Sequence, residues 1–445
     1  MPRLAIVDPI VAAGGVEKSI FWLVEGMIEL PEFSSWRVTV VIPRINTYRE
    51  EISWPEWAKA RNVRIRHVRD DIPSRLVDWY GARTAGSGRI WECRGTWKLQ
   101  RFFVLPFFRL LIKRSRLSGH PWEVEPWIER FIRLKRFNVA HFPYPYFWEC
   151  PDVPIPIVCS AVDFAYRRIE TCDASLLEKV DRSLPEWFER SSCIVAHSRF
   201  TRDELRDLYP GFDDKTRIVR LGVHVPEREP TDNEIEDARR RLGITGPFLL
   251  SVAGVARHKN QKVIFEALGH LRGNGIKIPL VCVGPHSERL RSEGAGSDPY
   301  ALETLEVAGS LGMAHGRDFF GLGNVDDHTL GCLYRAATAF VTASVYEGAS
   351  MTPPEAMRVG CPVIMSGIPA HREIFDLVGG NALLFDPHDP IELAGAFMEV
   401  LTKPEEAAQR AGWAKEIVPQ AFSWKKTAAG YLEAFSDAVG RDAGS

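Results

Sequence analysis

Residues 347–355 read EGASMTPPE, with two carboxylates, Glu347 and Glu355, on either side of a short loop that opens into a helix. The run before it, AFVTAS at 339–344, has the apolar, β-branched character of a buried strand. The run after it, EAMRVG at 355–360, is a short helix stopped by Gly360. Thr352 is expected as N-cap, Pro353 as the first helical residue and Glu355 as the third, which would make a Thr-x-x-Glu capping box. Helix amides and the positive end of the helix dipole then face the loop and favour a phosphate or a sugar oxygen. Each carboxylate can accept two hydroxyl hydrogen bonds, and a charged acceptor makes them roughly twice as strong as neutral ones.

Outward from this stretch, strands are predicted at 248–253, 279–284, 318–321, 339–343, 362–365 and 382–385, alternating with amphipathic helices such as 261–271 and 327–336. Such alternation implies a parallel, doubly wound α/β sheet, with ligands beyond the carboxyl ends of its strands. Glu347 and the loop after Ala253 both lie at carboxyl ends and could share one site. The first half opens in the same style, with a strand at 4–8, a small-residue loop, and a helix at 16–30 whose Val16, Ile20, Leu23, Val24 and Met27 share a face. Further strands are predicted at 37–42, 63–68, 139–142, 155–161 and 193–196. VPEREPTD at 225–232 has the composition of an interdomain linker. The expected organisation is a first Rossmann-like domain over 1–225 with an insertion at about 70–135, a second over 226–422, and a final helix over 423–445.

At 445 residues the chain is too long for one ordinary core. A net charge of −2 argues against nucleic acid as the main partner. No apolar run approaches the eighteen or so residues that span a bilayer, and Asp8 and Pro9 interrupt the N-terminal apolar run, so a cytoplasmic protein is expected. The eight cysteines lack CxxC or Cys/His ligand spacing, which points to buried free thiols rather than disulfides or zinc.

The segment SVYEGASMTPPEAMRVGCPVIMSGIPAHREI resembles the donor-binding signature of retaining glycosyltransferases of family 4. In that family two glutamates with seven residues between them precede a helix rich in small residues and a Pro-Val-Ile strand. Glu347, Glu355, Gly360 and the run from Cys361 to Ile364 match in order. The resemblance implies the GT-B fold, two Rossmann-like doubly wound domains facing a cleft, with the donor on the second. It implies that Glu355 holds ribose hydroxyls, that Glu347 holds hydroxyls of the transferred sugar, and that the amides of Gly348, Ala349, Ser350 and Met351 meet its remaining oxygens. It also implies that the C-terminal helix crosses back to the first domain.

After the strand FLLSVA, the loop GVARHKNQK carries Arg257, Lys259 and Lys262. Departure of a diphosphate leaves negative charge on the β-phosphate, which fixed cations and amides must meet. By resemblance Arg257 and Lys259 contact the diphosphate, Lys259 more firmly because the spacing from Gly254 is one residue short. Gly14 and Gly15 match the family's N-terminal glycine loop, and a plain tight turn is the alternative. Asn324 and Val325 match the segment against the nucleobase, with a helix-capping loop as the alternative. The family's histidine near the sugar is absent, because IVCSAVDFAY has Val162 and then Asp163. Asp163 takes over part of that role, or His141 in VAHFPYP faces the cleft instead. Ser198, Arg199 and Thr201 form a strand end and helix cap.

The implied reaction is retaining transfer from a nucleotide-diphosphate sugar to a glycan or lipid-linked glycan, with no cofactor and no metal, since no Asp-x-Asp pair follows a strand. A glycoside hydrolase, with carboxyls roughly 5–10 Å apart, and a non-catalytic sugar-nucleotide binder are the alternatives. Residues 94–116, RGTWKLQRFFVLPFFRLLIKRSR, hold seven basic residues and no acid among dense aromatics. That composition suits a peripheral membrane contact, or a helical pair buried in the first domain.

Overall fold

The computed structural model describes residues 1–7, 15–43, 62–68, 132, 136–146, 149–169, 174–223, 229–291, 296 and 298–442. The insertion expected at about 70–135 lies almost wholly outside these residues, and segment 94–116 entirely so. Contacts divide the chain into two units. The first holds Met1–Ser160, Ala174–Val195 and Leu432–Ser445, and the second Ala161–Asp173 and Ala196–Tyr431.

The strands in chain order are β1 (Arg3–Val7), β2 (Arg37–Pro43), β3 (Val63–Val68), β4 (Val139–Phe142), β5 (Ile157–Ala161), β6 (Ser191–Ala196) and β7 (Thr216–Ile218). They continue with β8 (Leu249–Val252), β9 (Leu280–Val283), β10 (Phe319–Gly321), β11 (Ala339–Thr342), β12 (Val363–Ser366) and β13 (Leu383–Phe385). One sheet runs β3-β2-β1-β4-β5-β6-β7 and the other β10-β9-β8-β11-β12-β13. Each described pairing is parallel, among them β1 with β2 and with β4, and β8 with β9 and with β11. In the second sheet the order reverses at β8. Strands β9 and β10 build outward on one side and β11, β12 and β13 on the other. The loops leaving the carboxyl ends of β8 and β11 therefore diverge, and such a switch point is where open α/β sheets bind ligands.

The second sheet is covered on both faces, so its strands are mostly apolar rather than alternating, with Ser251, Thr342 and Ser366 as polar exceptions. Leu249, Leu280, Cys282, Val341 and Ile364 pack one way with Phe265, Leu268 and Phe397 of flanking helices. Leu250, Val281, Phe340, Val363 and Met365 pack the other way with Leu333, Met357, Ile374 and Val418. In the first unit the helix Gly15–Ile28 buries Ile20, Leu23, Val24 and Met27, the face that the sequence periodicity marks. Six cysteines, at 150, 159, 193, 282, 332 and 361, are buried and free, as expected, while Cys93 and Cys172 lie outside the described residues.

Two expectations change, and one strand was not expected. His141 does not face outward: it is fully buried in β4, its Nδ1 lies 3.0 Å from the carbonyl of Val158, and its ring packs 5.5 Å from that of Phe435. A central strand covered on both faces offers its residues no route to a ligand. The capping box is not at Thr352. That residue is the first of the helix Thr352–Arg358, Met351 is the N-cap, and no side chain caps it. With Pro353 and Pro354 both in the first turn, donors are already missing there, and the box forms at Thr231 and Glu234 instead, opening the helix Asp232–Arg241. The short β7, half-buried throughout, has no apolar run to announce it.

Candidate active site

The strand β8 ends at Val252. The chain then passes Gly254 and makes a 3-10 turn over Arg257–Lys259 before starting the helix Gln261–Gly273. Asn260 takes the left-handed conformation at the junction, φ 55° and ψ 39°, which asparagine tolerates better than most residues. Its Nδ2 donates to the carbonyls of Ala343 at 3.2 Å and Pro387 at 2.7 Å, so one side chain ties this turn to the ends of β11 and β13. The amide of Val345 donates to the carbonyl of His258 at 2.8 Å and makes a second tie between the two loops.

These ties bring Lys259 and Glu347 together. Lys259 Nζ donates to Glu347 Oε1 at 2.6 Å, and Ser344 Oγ donates to the same oxygen at 2.7 Å. Burial alone would raise the Glu347 carboxyl, but the Lys259 ammonium, with the hydrogen bonds from Lys259 and Ser344, outweighs it and holds the group below the usual range. His258 is pushed down to about 4 by burial and by the positive charge of Lys259.

Asp163 joins the same cluster. Its Oδ1 accepts from the amide of Ala165 at 3.0 Å, and burial, with the charge of Glu347 adding to it, raises its carboxyl. A Cβ on Gly348 would strike the carbonyl oxygen of Val162 and come within 2.6 Å of Asp163 Cβ, so only glycine lets these segments approach so closely. Tyr346 fastens them further. Its hydroxyl accepts from the amide of Phe164 at 2.8 Å and donates to Glu204 Oε2 at 2.6 Å, while Arg168 Nε holds Glu204 Oε1 at 2.7 Å.

Ser198 caps the helix Arg199–Leu208 by accepting from the amide of Thr201, the role assigned from sequence. Beyond that role, Ser198 Oγ and Thr201 Oγ1 both donate to the carbonyl of Gly348, at 2.6 and 3.1 Å. Glu373 takes the amide of Arg199 at 2.8 Å and the guanidinium of Arg220 at 2.9 Å. Ala349, Ser350 and Met351 border a cavity of about 20 Å³ together with Ser198, Arg220 and Glu373, enough for one water.

The other expected residues stand apart from the Lys259–Glu347 pair. Arg257 pairs with Glu303 at 3.0 Å and covers the ring of Tyr300, and Lys262 shares the same carboxylate at 2.8 Å. Glu355 is half-buried and its Oε2 accepts from Tyr334 at 3.2 Å. Asn324 is exposed and Val325 half-buried, while Asp326 beside them caps the helix Asp327–Ala336. Gly14 lies outside the described residues, and Gly15 opens the first helix. Sequence reasoning passed over Tyr346, Glu204, Asn260 and His371. Asn260, between a basic turn and a helix, carried a local signal; the others depend on contacts distant in sequence.

Two Rossmann-like α/β units with this switch-point site are the GT-B architecture. The crystal structure of Anabaena Alr3699/HepE in complex with UDP and glucose has the same fold, with a TM-score of 0.65 over 98% of this chain and 100% of that one at 14% identity. Residues 233–416, which carry Lys259, Glu347 and Glu355, match the family model described as "Glycosyl transferases group 1". The chain is 28% identical over 258 residues to a D-inositol 3-phosphate glycosyltransferase of Salinispora arenicola, covering 55% of each protein. It is 27% identical over 256 residues to the serotype-specific mannosyltransferase WbdA of Escherichia coli, covering 56% of this chain and 29% of that one. The chain thus spans about half the length of the first relative and less than a third of the second.

Proposed function

We propose that the protein is a retaining glycosyltransferase of family 4 that moves a sugar from a nucleotide-diphosphate donor to a glycan or lipid-linked glycan. The observation that carries this reading is the ion pair of Lys259 and Glu347 at the switch point between β8 and β11, eight positions before Glu355. Glu347 accepts hydroxyls of the transferred sugar and Glu355 those of the ribose. Amides of Gly348 to Met351 meet further sugar oxygens, and Asn324 and Val325 lie against the base. Lys259 meets the leaving diphosphate, with Arg257, Gly14 and Gly15 as its further contacts. Asp163 takes over part of the role of the family's histidine near the sugar.

In this reading the acceptor hydroxyl attacks from the face that the diphosphate leaves, and the β-phosphate helps to take its proton. The chain's task is to position the two substrates and stabilise the developing charge, with its own cations and amides in place of a metal. A thermal-shift screen of nucleoside diphosphates and their sugars, followed by product analysis, tests it. A ligand at a hundredfold excess over its dissociation constant adds about 2.7 kcal/mol of stability. No stabilisation by any of them, or cleavage of the donor that is indifferent to acceptor, would overturn the reading.

The protein would work in the cytoplasm at the inner face of a membrane, touching the bilayer through 94–116. No described helix is long and apolar enough to cross a membrane. Co-sedimentation with anionic vesicles at low and high salt tests the contact, and failure of the folded protein to bind at low salt removes it.

A further inference from the structure

His371 is fully buried in the helix Pro369–Leu377, and the proposed reaction has no use for it. Its Nδ1 lies 2.9 Å from the carbonyl oxygen of Ser366 and 3.0 Å from Ser366 Oγ. A carbonyl can only accept, so Nδ1 carries the proton. The hydroxyl of Ser366 gives its own proton to the carbonyl of Ser344 at 2.5 Å, so it too accepts from Nδ1. The tautomer is thereby fixed, and Nε2 is left as a lone pair. That nitrogen is buried and has no hydrogen-bond partner among the described residues. A buried acceptor without a donor is costly and calls for an explanation.

The explanation lies two residues away along a chain of contacts. Ser344, which receives the Ser366 hydroxyl on its carbonyl, donates its own hydroxyl to Glu347 Oε1 at 2.7 Å. The charged groups acting on His371 are Glu347, from the loop after β11, and Lys259, from the turn after β8. They pull in opposite directions, Glu347 favouring the imidazolium and Lys259 opposing it. With both in place burial holds the ring neutral; Glu347 and the bond to the Ser366 carbonyl offset it in part, and Lys259 adds a smaller push toward the neutral form.

We propose that His371 is the reserve partner of Glu347: when an anionic diphosphate draws the Lys259 ammonium away, Nε2 takes up a proton from solvent and the imidazolium balances the carboxylate. Donor binding is then coupled to proton uptake, with one N–H bond formed on Nε2 and one positive charge gained. This inference rests on reading the site as one for a diphosphate sugar. It makes His371 a positioning residue, since it acts on Glu347 and touches no substrate.

The first test needs no ligand. Lys259→Met removes the cation and keeps the apolar stem. His258 also feels Lys259, so the comparison is made with His258→Asn in both proteins. Imidazole resonances of the full chain, labelled at histidine, are followed against pH, and that of His371 is assigned by its loss in His371→Gln. The expected result is a neutral ring protonated on Nδ1, whose titration midpoint rises in Lys259→Met. An unchanged midpoint, or a neutral ring protonated on Nε2, overturns the inference. If His371→Gln does not fold, the finding that no imidazole midpoint rises between the two proteins does the same.

The second test is calorimetry of UDP-glucose binding near pH 6 in buffers of different ionisation enthalpy. The sugar diphosphate has no group titrating there, so any uptake belongs to the protein. Uptake approaching one proton, lost in His371→Gln while binding persists, supports the coupling. Binding without buffer dependence sinks the coupling and leaves the donor reading intact. Absence of binding by UDP-glucose and every other nucleotide sugar, with the first test positive, removes the donor reading and with it the coupling.

Discussion

Lys259 Nζ stands 2.6 Å from Glu347 Oε1, so the cation proposed to meet a leaving diphosphate and the carboxylate proposed to hold the sugar are each other's counter-ions. The pair joins two loops 88 residues apart in sequence, and Asn260 and the amide of Val345 hold those loops in place. Lys259→Ala therefore has two consequences. Turnover falls by roughly 10²-fold, the size typical of removing one electrostatic donor from a leaving charge. Glu347 also loses its partner. A rate equal to wild type would show that the lysine serves only the fold.

Glu347→Gln and Glu355→Gln separate the two carboxylates. Under the proposed function Glu347 would touch the sugar where charge develops, so its loss should lower kcat, whereas Glu355 sits against Tyr334 and its loss should mainly raise KM for the donor. Both changes keep the shape of the side chain. Equal effects on donor affinity, with kcat untouched in each, would remove the assignment.

Gly348→Ala probes the closest approach in the site. The added methyl would collide with the carbonyl of Val162 and lie 2.6 Å from Asp163 Cβ, and neither can yield without moving backbone. Overpacking of this kind costs about 1–3 kcal/mol. We expect a lowered thermal midpoint and an activity loss larger than that of Ala349→Gly. An alanine variant with wild-type stability would mean that the 162–163 segment is free to withdraw.

Much of this was legible in sequence, for a physical reason. Strands buried on both faces are long apolar runs, and the helices between them carry a single apolar face, so β8 to β13 stand out within a residue or two. The carboxylates and Lys259 could be found because strand ends locate them. What could not be read depends on tertiary context. Nothing local in HREI marks His371 as a buried, half-satisfied imidazole, and nothing in SVYEG shows that Tyr346 will meet Glu204. Thr352 had the right spacing for a capping box, yet the consecutive prolines after it left a different residue at the cap.

Tyr346→Phe tests the fastening of the Asp163 segment. It leaves the Phe164 amide without an acceptor and Glu204 Oε2 without its phenolic donor, both in buried surroundings. An unsatisfied buried group costs about 1–3 kcal/mol. The loss of stability should exceed that of Tyr334→Phe, whose bond to Glu355 is longer at 3.2 Å. If the two variants melt together, the fastening contributes little.

The pH dependence of stability follows from the two histidines near Glu347. His371 and His258 are each held down to about 4, by burial first, with Lys259 adding to it. In the unfolded chain both titrate near 6.5. Between those values the unfolded state binds more protons than the native one, so stability rises with pH across this window. It is present above about 6.5, lost progressively as pH falls toward about 4, and constant with respect to these groups below that. Asp163 works in the opposite sense. Its raised carboxyl keeps a proton in the fold that the unfolded chain releases, so its contribution is present at low pH and disappears as pH rises through its folded value. His197, buried and likewise lowered, acts in the same sense as the other two histidines, and together they leave the net slope positive. For the fully buried His371 alone, the fall from pH 7 to pH 5 amounts to about 2 kcal/mol. Thermal midpoints at pH 5, 6 and 7 should therefore descend with acidity in the wild type, and His371→Gln should flatten the profile. A wild-type profile that is level from pH 7 to pH 5 would mean that His371 is already protonated in the fold, with Nε2 donating rather than waiting for a proton.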